Sequence, residues 1–415
     1  MNFEEMLVDA DGHVCEPPDL WERYIDPKYK ARAIRVKRGA DGKDNLEIDN
    51  KPAAYTTAAG MASMGGMQKH RELGAAEVQK VNAELRRKET AISRADSSPE
   101  WEGPGKEGSA LEFFGGTYLG GMAFGAMDPK ERIQVLDKEG IAKAILYPTI
   151  GLVWECEVTD PDLLMAYARA YNRWIADFCR DTDGRCIPVA HIPLADPKES
   201  ARELERAVKD GCKGAFVATF TQTRKPHGHP DHDVVFAACQ DLDIPIAIHP
   251  TLEQPAWNVF HRYDGMQWSD WYFLLLSSAA TQQAFFSMFA YGVFDRFPKL
   301  RTVVLESGSG WIGAYLDRAD AMYKQTVMGA SVLLKEPPSF YFKRQCFISG
   351  DPGETTIADA MKHVGEDKFM WASDYPHPDH DADYIGALRV TVDGMSTNGR
   401  RGILGENAAL AYKLS

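Results

Sequence analysis

The chain has no Cys-x-x-Cys pair. Its seven cysteines stand singly at positions 15, 156, 179, 186, 212, 239 and 346, which argues against a zinc ribbon or a disulfide framework and for buried free thiols in a reducing compartment. No apolar run is long enough to span a bilayer, and no basic segment followed by an apolar one opens the chain. A soluble, cytoplasmic protein is expected. Positive charge is also in deficit: 47 Lys and Arg against 60 Asp and Glu leave a formal net charge of −13. Nucleic acid and anionic membranes, which attract a basic footprint, are disfavoured as partners, and a small-molecule substrate is expected. Internal repeats and low-complexity tracts are missing. So is a dinucleotide fingerprint, because Gly308-Ser309-Gly310 follows a strand without the third glycine and downstream acid of such a site.

What is present is a recurrence of short apolar, β-branched runs, nearly all ending on a polar residue. They are MLVDAD (6–11), AKAILYP (142–148), CIPVAHI (186–192), KGAFVAT (213–219), IPIAIH (244–249), RTVVLE (301–306), QCFIS (345–349) and FMWASD (369–374). Continuous apolar character suits parallel strands buried on both faces. Segments of helical periodicity lie between most of them, and Asp128-Pro129, Asp160-Pro161 and Asp196-Pro197 each supply an N-cap and a first-turn proline. Gly140 and Gly211 follow as C-terminal caps. Eight such strands alternating with helices predict an α/β fold, a (β/α)₈ TIM-like barrel filling residues 1–415 as one domain.

The alternation fails over residues 30–127, where AAGMASMGGMQ and GGTYLGGMAFGAM mark a long insertion after strand 1, with a charged helix expected near 76–96. An insertion of this length reads as a cover over the site or as a surface between subunits. The aromatic stretch 268–297 reads as long helices between strands 5 and 6, contributing to the core or to a subunit contact, and a homo-oligomer is expected.

In a barrel of this type the chemistry sits at the C-terminal ends of the strands. There the sequence places Asp11 and His13, His191, His249, Glu306 and Asp374, with His377 just beyond. In an extended strand residues i and i+2 point to one side, so Asp11 and His13 would aim at one point. A carboxylate ending a buried strand needs a cation or hydrogen-bond donors to offset desolvation. Asp11, His13, His249, Glu306, Asp374 and His377 are therefore the candidate metal ligands, and Glu16 is expected to orient His13 from behind. His227, His229, His232 and His380 lie in polar loops, and the first three, in KPHGHPDHD, are weak candidates for a catalytic metal.

DADGHVCEPPDLW, AHIPLADP, GCKGAF, IAIHP, FDRFPKLRTVVLESGSGWIGAYLDR, ASDYPHPD and ILGENAALAY together resemble the amidohydrolase-related group that includes aminocarboxymuconate-semialdehyde decarboxylase. The resemblance implies a metal-dependent barrel, commonly oligomeric, with ligands from strands 1, 5 and 8, here the Asp11/His13 pair, His249 and Asp374. Decarboxylases of that group carry His-x-His or Glu-x-Ala on strand 1 and a catalytic histidine after strand 6. This chain has Asp11-x-His13 and Glu306. Lys213 opens its strand and is not placed as a carboxylated bridging lysine.

Three imidazoles and three carboxylates exceed what one ion with an open position needs, so two divalent ions are expected, iron first, with manganese or zinc as alternatives. The leading expectation from the residue types is a non-haem iron monooxygenase that hydroxylates a small organic substrate with O2. The alternative is redox-neutral: a metal-dependent hydrolase, or a decarboxylase of a carboxylated substrate, with Asp374 as general base and His191 as proton shuttle. Trp154, Trp257 and Arg262 are the expected substrate contacts.

Overall fold

The computed structural model describes residues 6–56, 58–67, 71, 72, 76, 77, 79, 80, 83, 116–254, 270–378 and 381–415. Eight strands form one sheet: β1 (Leu7–Val14), β2 (Ile141–Pro148), β3 (Cys186–His191), β4 (Gly214–Val217), β5 (Ile246–Ile248), β6 (Thr302–Val304), β7 (Cys346–Gly350) and β8 (Phe369–Trp371). Each pairs in parallel with the next in sequence. The ring is closed just past β8, where the Asp374 N–H donates to the Asp11 carbonyl (2.9 Å) and the His13 N–H to that of Tyr375 (2.7 Å). The fold is a (β/α)₈ barrel.

Helices cover the outside. They include α1 (Pro129–Glu139), α2 (Pro161–Arg180), α3 (Pro197–Asp210), α4 (Asp233–Asp241), α5 (Asp270–Ala290), α6 (Trp311–Tyr323), α7 (Ile357–Val364), α8 (Tyr384–Thr391) and α9 (Asn407–Tyr412). Asp128, Asp160 and Asp196 each accept two backbone N–H groups at the starts of α1, α2 and α3, relieving the unpaired donors of the first turn. Along α2, Leu163, Leu164, Tyr167, Tyr171, Trp174 and Phe178 recur every three to four residues and are buried. No helix of the described residues is long and apolar enough to cross a membrane.

The interior is packed by Val8, Ala10, Ile145, Tyr147, Ile187, Val189, Phe216, Val303, Phe347 and Met370, with Ala408, Ala411 and Tyr412 of α9 completing the same cluster. β1 carries the feature that matters for the site. Asp9 pairs with Ala144 but Gly12 with Leu146, so β1 holds one extra residue there. This bulge reverses the side-chain parity. Val8 and Ala10 belong to the packed interior, and beyond the bulge Asp11 and His13 approach the residues of the strand ends.

Within the 30–127 segment the structure differs from expectation. Arg35–Arg38, Asp44–Ile48 and Lys51–Pro52 form a small antiparallel sheet. Its middle strand buries Asp44, Leu46 and Ile48 on one side, and a charged residue at an inward position disguises the alternation. Of the helix expected over 76–96, residues 76, 77, 79, 80 and 83 are described and are helical.

Asp9 stitches β1 to the segment after β8. Its carboxylate accepts the Ser373 N–H (2.9 Å), the Ser373 hydroxyl (2.6 Å) and the Asp11 N–H (3.3 Å) in a buried setting. Asp9→Ala strands these donors at the seam and is expected to cost about 3 kcal/mol, read from the urea midpoint. An unchanged midpoint would show that the seam is held by other contacts.

Candidate metal centre

His13 ends the bulged part of β1, and its Nδ1 faces the Pro148 carbonyl at 2.8 Å. His249 directly follows β5, and its Nδ1 faces the Pro250 carbonyl at 2.7 Å. A carbonyl only accepts, so both Nδ1 atoms carry the proton and both neutral rings present the Nε2 lone pair to one space. The two Nε2 atoms are 3.3 Å apart. Asp11 Oδ1 lies 3.5 Å from one and Asp11 Oδ2 3.5 Å from the other. Asp374 Oδ1 is 3.0 Å from His13 Nε2, and Glu306 Oε2 is 3.1 Å from His249 Nε2.

Protonating the rings is disfavoured. Burial lowers the pKa of His13, helped by His377, and holds that of His249 well below the usual imidazole value, helped by His13. Two bare nitrogens facing each other amid carboxylates repel unless a cation lies between them, and mixed imidazole and carboxylate donors suit a divalent ion. Asp11, His13 and His249 bring ligand atoms within 4.8 Å of one another, as do His13, Asp374 and His377. The donor set fits a metal ion.

The two groups share His13, whose Nε2 faces both Asp11 and Asp374. An imidazole protonated on Nδ1 has one lone pair to give. His377 has protein partners on both nitrogens: Nδ1 meets Asp374 Oδ1 at 2.9 Å and Nε2 meets the Thr149 hydroxyl at 3.0 Å.

Glu306 and Asp374 both have positive φ, 40° and 53°, a backbone region that costs an ordinary residue about 1 kcal/mol or more and recurs at functional sites. The turn after Glu306 is fixed by Glu354. Its carboxylate accepts the N–H groups of Ser309 (2.9 and 3.0 Å) and Gly310 (2.6 Å) and the hydroxyls of Ser309 and Thr356 (both 3.0 Å). Gly310 is required there, because a Cβ would lie 2.0 Å from Thr356 Oγ1.

Glu16 does not touch His13 by a described hydrogen bond. Its carboxylate accepts the N–H groups of Thr149 (3.2 Å), Ile150 (2.7 Å) and Gly151 (2.9 Å), and burial pushes its pKa up to about 7 against the pull of these donors. It thereby fixes the loop whose Pro148 carbonyl orients His13 and whose Thr149 holds His377. His191 is placed apart from both ligand groups. Its Nε2 is 2.7 Å from Glu155, and its ring packs between Trp154 (4.8 Å) and Phe216 (4.6 Å). Trp154, expected at the substrate, is instead fully buried against Trp21, Tyr167 and His191. Trp257, Arg262 and His380 lie outside the described residues. His227 and His232 bond backbone carbonyls of their own loop, and all seven cysteines are buried and free.

Sequence reasoning missed Pro148, Thr149, Pro250 and Glu354. The first three act through carbonyls or a single hydroxyl, which no residue pattern announces. For Glu354 a signal existed, in the Ser-Gly-Ser-Gly turn that needs an acceptor. Because that turn holds the Glu306 carboxylate beside His249 Nε2, Glu354→Ala is expected to weaken divalent-ion affinity about tenfold through loss of this neighbouring charge, and Glu354→Gln to weaken it less, both read by Mn2+ calorimetry. Equal affinities in all three proteins would separate the turn from the site.

The sequence pattern that defines an amidohydrolase family matches residues 153–414. Gamma-resorcylate decarboxylase of Rhizobium radiobacter is 27% identical over 297 residues, covering 65% of this chain and 85% of that one. An amidohydrolase from Mycobacterium avium subsp. paratuberculosis shares the fold with a TM-score of 0.74 at 20% identity, over 99% of both chains. The 5-carboxyvanillate decarboxylase of Novosphingobium aromaticivorans, complexed with manganese and 4-hydroxy-3-methoxy-5-nitrobenzoic acid, superposes with a TM-score of 0.59 at 24% identity, over 70% of this chain and 81% of that one. These findings correct the expectation of an O2-dependent hydroxylation. The Rhizobium relative and the Novosphingobium protein are both named as decarboxylases. From the match over most of its length and from the barrel, the chain belongs to the amidohydrolase family.

Proposed function

We propose that the chain is a metal-dependent, non-oxidative decarboxylase of hydroxylated aromatic carboxylic acids, with one divalent ion held by Asp11, His13, His249 and Asp374. The observation that carries this reading is the pair of imidazoles locked by backbone carbonyls, Nε2 to Nε2, beside the Asp11 carboxylate. The similarity to gamma-resorcylate decarboxylase supports the reaction class. Manganese is the preferred ion, as in the 5-carboxyvanillate decarboxylase. The single lone pair of His13, shared between both ligand groups, supports one ion rather than two.

Asp11, His13, His249 and Asp374 would hold the ion, which when bound would supply a positive charge that favours an anionic substrate and withdraws electron density from it. In the reaction the bond from ring carbon to carboxylate breaks, its electron pair stays on the ring carbon, that carbon takes up a proton, and CO2 leaves. Asp374 is positioned to carry the proton, and His377 links it through Nδ1 to Thr149 as the route of resupply. Glu306 stands where related decarboxylases have a histidine. Its side chain, 17% exposed at the mouth, accepts a hydrogen bond from a substrate hydroxyl and orients the ring.

Two outcomes test this. Manganese-loaded protein mixed anaerobically with gamma-resorcylate and other ortho-hydroxylated benzoates is expected to release CO2 without consuming oxygen. Oxygen uptake with a hydroxylated product, or no CO2 from any member of the series, would sink the reading. Titration with Mn2+ is expected to reach one equivalent per chain, and His249→Ala to weaken binding at least about 100-fold with an unchanged circular dichroism spectrum. Two equivalents, or unweakened binding in the variant, would count against the ligand set.

A further inference from the structure

The C-terminal helix α9 closes the end of the barrel opposite the ligand groups. Asn407 Nδ2 donates to the Phe369 carbonyl at the start of β8 (2.7 Å), and Arg301 Nε, just before β6, donates to the Ala411 carbonyl (2.7 Å). On the face turned to the interior, Ala408 and Ala411 are small and Tyr412 enters the packed cluster. The fit is close at the start of β4, where a Cβ on Gly214 would lie 3.0 Å from the Tyr412 ring.

Inside the barrel the Tyr412 and Tyr147 hydroxyls are hydrogen-bonded to each other, and both residues are fully buried. Burial holds both phenols well above their usual pKa, with the Asp11 carboxylate adding to the effect, so both keep their protons. A buried hydroxyl left unpaired is costly, and each phenol therefore fixes the other.

Tyr147 carries this fixation to the ligands. It pairs with His13 across β1 and β2 and precedes Pro148, whose carbonyl faces His13 Nδ1. Its ring stacks on that of His249, 5.7 Å between centroids and 28° between planes, and meets that of His13 at 6.1 Å and 45°. The two imidazoles are 5.0 Å apart and steeply inclined, at 72°. Phe216 stands edge-on to Tyr147 (6.3 Å, 85°) and to His249 (5.8 Å, 83°). A carbonyl bound at Nδ1 sets the tautomer and one point of each ring, whereas the tilt about that bond is set by what the ring packs against. Tyr147 touches both imidazoles and so can set both tilts.

We propose that Tyr147 is a positioning residue of the ion site, braced by Tyr412, so that the C-terminal helix governs the tilt and separation of His13 and His249 from the far end of the barrel. The proposal rests on the reading of these residues as a divalent-ion centre.

Mn2+ calorimetry and the electron spin-echo modulation from metal-bound imidazole nitrogen test it, with the urea midpoint of each protein as the record of folding. Tyr412→Phe keeps its own ring and removes the oxygen that holds Tyr147. It is expected to weaken Mn2+ binding about tenfold and to alter the nitrogen modulation, although the change is made on α9. Tyr147→Phe combined with Tyr412→Phe keeps both rings with no hydroxyl stranded, and is expected to bind within about threefold of the unaltered protein. Tyr147→Leu combined with Tyr412→Phe lacks the ring beneath the imidazoles and is expected to bind about tenfold more weakly than the double phenylalanine variant. Unchanged affinity and modulation in Tyr412→Phe with only a lower urea midpoint, or equal affinity in the two double variants, makes the tyrosines a packing element alone. Either result overturns the proposal and leaves the ion site standing. If the unaltered protein binds no Mn2+, the reading of the site falls and the proposal with it.

Discussion

The orientation of two imidazoles by two backbone carbonyls is the constraint on which the rest depends. Pro148 and Pro250 take the Nδ1 protons of His13 and His249 and so decide that both rings offer bare nitrogens to the same point. Without that tautomer the pair at 3.3 Å could be an ordinary hydrogen bond, and the neighbouring carboxylates could be satisfied by a proton. With it, only a cation makes the arrangement favourable. The surrounding architecture holds the His13 side of this arrangement in place. Glu16 ties down the loop that follows Pro148 with three backbone contacts, and Arg132, fully buried, donates to the His13 carbonyl and to that of Gly125 at 2.8 Å.

The barrel was legible in the sequence because a strand buried on both faces must be apolar throughout, and a polar residue at its end has few reasons to be there. Asp11, His13, His249, Glu306 and Asp374 stood out on that ground and converge in the structure. The direction of Asp11 and His13 was less legible than it looked. The rule that alternate residues share a face holds for the pair, yet the face they share is set by an extra residue in β1 that no apolar pattern marks. The small sheet of residues 35–52 escaped notice for the opposite reason: its strands are short, charged and partly exposed, so they lack the apolar run that identified the others.

The error about the reaction has a physical root. Counting three imidazoles and three carboxylates treats every side chain as a donor to metal, whereas donor capacity belongs to lone pairs. His377 spends its nitrogens on Asp374 and Thr149, and His13 has a single pair to offer two ligand groups. Composition cannot reveal this, since it depends on which carbonyl or hydroxyl faces each ring. His191 shows the same limit: a strand-end histidine with a buried carboxylate partner sits in an aromatic box and belongs to neither ligand group.

The ring of strands is fastened where its first and last members meet, by Asp374 to Asp11 and His13 to Tyr375 through the main chain. Three of those four residues, Asp11, His13 and Asp374, are proposed to grip the ion, so the clasp of the hoop and the proposed metal seat share side chains and main chain of the same residues. Synthesis must deliver residue 375 before either can form. An ion held by that set would act as a rivet across the junction, coupling occupancy of the centre to the integrity of the whole cylinder.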